Sequence, residues 1–167
     1  GDYNIAIGSY ALDATTTGDR NIAIGHSTGT AITTARGNVA IGHNALVTED
    51  VSDGNVAIGH QALYSQNTDS SNNVAIGYNA AFALNGGTDS VYVGYEAGGV
   101  GVITGDNNVA IGKSVMLNAT SPDYGVFVGY YAGGLGVVTG NDNVVLGALA
   151  GYDLTSGYSN VLIGRDA

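Results

Sequence analysis

The phrase NVAIGHNAL, residues 38–46, returns as NVAIGHQAL at 55–63 and as NVAIGYNAA at 73–81. Its glycine belongs to a lattice that runs the length of the chain: Gly8, Gly25, Gly42, Gly59, Gly77, Gly94, Gly112, Gly129, Gly147 and Gly164. Successive glycines lie 17 or 18 residues apart. A fixed period of this length implies stacked, near-identical units instead of one globular core. Such a chain presents columns of equivalent side chains.

Three residues before each glycine stands Val or Ile, and one residue before it stands Ile, Val or Leu. Branched residues suit an extended strand, and side chains two apart share one strand face. These two columns are expected to point inward. The residue between them is expected to face outward: Ala6, Ala23, Ala40, Ala57, Ala75 and Ala110, with Tyr92, Phe127, Val145 and Leu162 in the other coils. A half-buried strand would carry a polar residue there. Alanine instead predicts close packing against another chain, through Ala6, Ala23, Ala40, Ala57, Ala75, Tyr92, Ala110 and Phe127.

Asn4, Asn21, Asn38, Asn55, Asn73, Asn108, Asn143 and Asn160 precede the strands, with Ser90 and Gly125 as departures. Stacked in register, their amides could bond to one another as a ladder. A small residue, usually alanine, follows each glycine by three positions, and polar turns such as TTTGDR, TEDVSDG and SQNTDSSN fill the remainder. Each repeat therefore reads as strand, tight turn, short second strand and polar turn. A longer unit overlies this one. GYEAGGVGVITGDNNVAIG, residues 94–112, parallels GYYAGGLGVVTGNDNVVLG, residues 129–147, and places Tyr92 and Phe127 at equivalent positions.

The repeat is too short for a helix-pair solenoid and fits one turn of a β-solenoid. The expected fold is all-β: a parallel β-roll or β-solenoid of about ten coils, forming a single repeat domain over residues 1–167. Both termini fall inside the pattern, so a segment of a longer fibrous protein is expected. A six-residue spacing (Val56, Ala62, Thr68, Val74; Val91, Ala97, Ile103, Val109) keeps a triangular left-handed β-helix, the fold of many acyltransferases, as an alternative.

Composition narrows the function. Four Lys plus Arg against fourteen Asp plus Glu give a net charge of −10, which opposes binding to nucleic acid or anionic lipid. No apolar run approaches membrane-spanning length, so no membrane insertion by this segment is expected. The absence of cysteine removes disulfides and thiolate metal sites. No nucleophile elbow, zinc-protease motif or phosphate-cradling loop occurs, and neither enzymatic activity nor a cofactor is expected.

The residue after the key glycine forms a candidate contact column: His26, His43, His60, Tyr78, Tyr95 and Tyr130, with Lys113 among them. Tyrosines there could stack on sugar rings. A linear histidine ladder is poor geometry for tetrahedral zinc, although histidine layers around a threefold axis could each hold an ion. GDNN at 105–108 and GNDN at 140–143 offer oxygen ligands of the kind calcium takes, but the calcium-roll nonapeptide is absent.

The phrases NVAIGHNAL, NVAIGHQAL and NVAIGYNAA resemble the head repeats of trimeric autotransporter adhesins, and similar repeats of bacteriophage tail fibres. The resemblance implies a left-handed parallel β-roll, a homotrimer with the alanine column toward neighbouring chains, and an extracellular location on a bacterial surface or a virion fibre. The coils here are a few residues longer than in the best-known heads. The expected function is a structural and adhesive rod that presents repeated contacts to a host-surface protein or glycan. The alternatives are an acyltransferase-like enzyme and a self-assembling matrix fibre without a receptor.

Overall fold

The computed structural model describes residues 1–48, 51–66, 70–99 and 101–167. It is a β-solenoid with no helix among the described residues. Ten strands of three residues each stack in chain order: β1 Ile5–Ile7, β2 Ile22–Ile24, β3 Val39–Ile41, β4 Val56–Ile58, β5 Val74–Ile76, β6 Val91–Val93, β7 Val109–Ile111, β8 Val126–Val128, β9 Val144–Leu146 and β10 Val161–Ile163. Every pairing is parallel and in register, so Ala40 lies between Ala23 and Ala57. Equivalent residues therefore form columns.

The key glycine bends each coil away from its strand. Its φ lies between 124° and 142° in all ten repeats, a conformation that side chains rarely adopt. Two further left-handed residues follow in the same turn, such as Asn44 (φ 55°) and Leu46 (φ 53°). Layer-to-layer hydrogen bonds continue through this turn, for example Leu46 N–H to Ala62 O at 3.0 Å. Alternating left-handed residues keep it from becoming the expected second strand; outside β1–β10 the described residues show only isolated bridging, at Leu84, which pairs with Ile103, and at Asn85. The three sheets of a triangular helix are likewise absent among the described residues, and Thr68 of the six-residue pattern lies outside them.

The strand faces are the reverse of the sequence expectation. Ala23, Ala40, Ala57, Ala75, Tyr92, Ala110, Phe127 and Val145 are fully buried within a single chain. They point into the solenoid and are closed to a neighbouring chain; Ala6, in the first layer, is exposed. The Val and Ile columns point outward. The reason is width. Each strand faces the opposite wall of a narrow coil, and interior packing leaves no room for two large side chains at one level. Leu46, Leu63 and Met116, four residues after the key glycine in coils three, four and seven, are buried in the same core cluster as the strand alanines.

The long repeat follows from the same width. Where a ring replaces the strand alanine, the residue across from it is glycine. A Cβ on Gly98 would collide with the Tyr92 ring, and one on Gly133 would lie 2.8 Å from the Phe127 ring. Gly125, a departure from the asparagine column, also makes room: a Cβ there would lie 2.6 Å from Phe127. Ring and glycine together conserve layer volume, as core packing demands.

Tyr92 carries a cost that Phe127 does not. Its hydroxyl is fully buried and, among the described residues, makes no hydrogen bond of good geometry. Ser90 beside it donates to Thr88 O and accepts the Asn108 N–H, which leaves one lone pair that a better-aligned phenol could use. Burial holds the phenol well above its usual range, so it stays neutral. Tyr92→Phe removes an orphaned polar atom and keeps the ring. It is expected to leave stability unchanged or raise it by up to about 1 kcal/mol in denaturant unfolding; a loss of more than about 1 kcal/mol would reveal a hydrogen bond to that hydroxyl.

The asparagine column closes the coils. Asn38 is representative: its Oδ1 accepts the Asn55 N–H at 2.8 Å, and its Nδ2 donates to Ser52 O at 2.9 Å. The first bond joins adjacent layers and the second ties a coil's start to its last turn. The amide supplies an acceptor and a donor on two separate atoms, so one side chain makes both bonds. The expected side-chain ladder gives way to these backbone bonds, except that Asn160 Nδ2 donates to Asn143 Oδ1 at 2.9 Å. Two residues earlier, carboxylates and their substitutes do similar work. Asp19 accepts the Asp2 N–H at 2.7 Å, and that bond, helped by Arg36, holds its carboxyl below the usual range.

Candidate functional site: the apolar strip and the ring column

Turning Val and Ile outward produces the solenoid's most distinctive surface. Ten strands with two outward side chains each give a strip of twenty aliphatic residues without a polar interruption. Stacked neighbours cover their flanks, so most are half-buried, and their tips face outward. Ile76 and Ile111 are 37% and 40% exposed within the stack, and the end-layer residues Ile5, Ile7, Val161 and Ile163 more so. At about 4.8 Å per layer the strip runs roughly 45 Å. At about 10 Å wide it approaches the size of the largest apolar patches on monomeric proteins, which are often functional.

The ring column runs beside it. Each key glycine turns the chain outward, and the next side chain projects next to the strip's second column. His26, His43, His60, Tyr78 and Tyr95 form one continuous stack, with centroids 5.3, 5.1, 5.0 and 5.2 Å apart and planes within 12° of parallel. Tyr10 meets His26 edge-on at 5.8 Å. Tyr130, the sixth predicted member, stands apart: Lys113 separates it from Tyr95, and it packs edge-on against Tyr131 at 4.7 Å.

This geometry limits the column's chemistry. From His43 to Tyr78 both faces of every ring are covered by the rings above and below. Only edges meet solvent, so sugar stacking along the continuous column is blocked. The histidines are parallel plates, not a convergent ligand set. Among the described residues no group of three or more His, Cys, Asp or Glu is placed to hold a metal ion. His26 Nδ1 lies 3.0 Å from Ser27 Oγ.

Of the predicted site residues, the structure brings five of the six rings, His26 to Tyr95, into one continuous stack, leaves Tyr130 apart beyond Lys113, and removes the predicted packing set from the surface except Ala6. The strip, which the sequence reading placed inside, emerges as the exposed apolar face. The signal that could have found it was size. A coil with alanine on one strand face and Ile or Val on the other has a lumen that takes the small residue, and it takes a ring only where glycine lies across from it. Comparison with family models, with curated proteins and with solved structures finds no match.

Proposed function

We propose that this chain is a rod module of an extracellular fibre, a bacterial adhesin head or a phage tail fibre, assembled from copies of itself. The observation that carries the reading is the uninterrupted aliphatic strip. Its occupant is best supplied by the chain itself. The strip repeats every layer, and a second copy has the same repeat along its axis. Side chains of one copy can therefore seat between those of the next over all ten layers. A partner without that repeat would match a few layers and leave the rest exposed. Three copies, as the family resemblance implies, would bring three narrow strips together along one axis.

The proposed work of such a rod is mechanical and multivalent. Stacked coils give stiffness, and repeated outer columns in several copies raise avidity for a receptor. The ring column and the polar turns flank the strip and stay available as contacts. Light scattering on the purified chain is expected to give three times the 16.7 kDa mass of one chain. A folded species of single-chain mass across micromolar to millimolar concentration would sink the reading.

A further inference from the structure

The ring column breaks at one layer. Coil seven places Lys113, the chain's single lysine, where its neighbours carry rings. Its Nζ lies 5.5 Å from the Tyr95 centroid and 6.0 Å from that of Tyr130, both within cation–π reach. Lys113 is exposed, and Tyr95 and Tyr130 are 46% and 48% exposed. The two tyrosines are the column members that turn a ring face toward a layer holding no ring. Among the described residues no carboxylate lies within ion-pairing distance of Lys113. Its charge is balanced only by the two rings.

The width of the break selects what could enter it. Adjacent rings are 5.0–5.3 Å apart, so rings two layers apart stand about 10 Å apart. Carbon contacts of about 3.5–4.0 Å on each side leave about 2–3 Å for the body between. A flat ring is too thin to touch both sides. A puckered, saturated ring with axial groups fills the space, and its C–H faces suit the electron-rich faces of tyrosine. The lysine stem is flexible and can swing outward, exchanging two cation–π contacts for a charge-assisted hydrogen bond.

We propose that the break at Lys113 is a binding slot for a carboxylated pyranose, with Tyr95 and Tyr130 against the two faces of the sugar and the Lys113 ammonium on its carboxylate. The proposal rests on reading the outer column as a contact surface, and it is independent of how many copies assemble. Glu96, whose carboxylate is hydrogen-bonded to Tyr95, opposes an acidic ligand at close range, and the net charge of −10 does so at longer range. One slot therefore binds weakly, and slots on several copies of the chain would add avidity on an acidic polysaccharide.

Saturation-transfer NMR and titration of the whole chain, with trigalacturonic acid and neutral galactotriose as probes, test this. The acidic probe is expected to bind at least tenfold more tightly than the neutral one and to weaken as salt rises. Lys113→Gln keeps the gap and removes the charge; it should erase that preference. Lys113→Tyr closes the gap by completing the column and should abolish binding of both probes, while Lys113→Arg retains the acidic one. Equal affinity for the two probes, or undiminished binding by Lys113→Tyr, overturns the proposal. Light scattering on the same variants is expected to give the wild-type mass, so a failure of the slot is distinguishable from a failure of the strip.

Discussion

Ala57→Glu is expected to unfold its coil, whereas Ile58→Glu, one residue along, leaves the coil folded and dissolves the proposed assembly. Ala57 is fully buried between Ala40 and Ala75 in the stack. A carboxylate there has no partner and no space. Burying an unpaired charge and overfilling a packed layer are both strongly destabilising, together about 4 kcal/mol or more. Ile58 lies on the outer strip, where a glutamate can reach water in the separate chain. Its effect on the folding of one chain is expected to stay within about 1 kcal/mol. In the proposed assembly, however, each copy would bring an unpaired charge to the apolar seam. Circular dichroism in denaturant reads the first effect, and light scattering reads the second. If Ala57→Glu stayed folded and lost only its assembly, the alanine column would face outward after all.

Gly77→Ala is the second large effect. Gly77 has φ 139°, and a Cβ there would collide with the Gly94 carbonyl of the next layer. The obstacle is backbone in the middle of the stack, so no side chain can move aside to relieve it. Strain and lost layer bonding together are expected to cost about 3 kcal/mol or more. Because each coil touches only its neighbours, the damage should be local, splitting the solenoid between β5 and β6. Hydrogen exchange is expected to show those two strands losing protection first. Gly37→Ala is the control. Gly37 is also left-handed (φ 68°), but a Cβ there meets nothing within 4 Å. Its column already accepts Asn72, Asp89 and Tyr124 in the same conformation. That variant should cost about 1 kcal/mol. Equal losses for the two glycines would mean that φ alone, not the close approach of layers, explains the key column.

Residue order was enough to reveal the stacking. A glycine every 17 or 18 residues, preceded by branched aliphatics, leaves one way to align the repeats, and β1–β10 pair in that register. Column membership was legible for the same reason: His26 through Tyr95 share a repeat position, so in-register stacking had to bring them together. The long repeat was visible as a recurrence of Tyr92 and Phe127. Its cause, the void that Gly98 and Gly133 provide, was not, because it depends on which residues face each other across a coil.

What the order of residues left open was which strand face looks inward. Reading in from out along a strand depends on apolar residues alternating with polar ones, and here alanine alternates with valine and isoleucine. Both faces are apolar, so hydrophobicity casts no vote. The width of the closed coil settled the matter: a lumen that admits alanine opposite leucine, or a ring opposite glycine, excludes two large side chains at one level. The larger aliphatics were pushed to the surface, and the same packing in three dimensions exposed the strip.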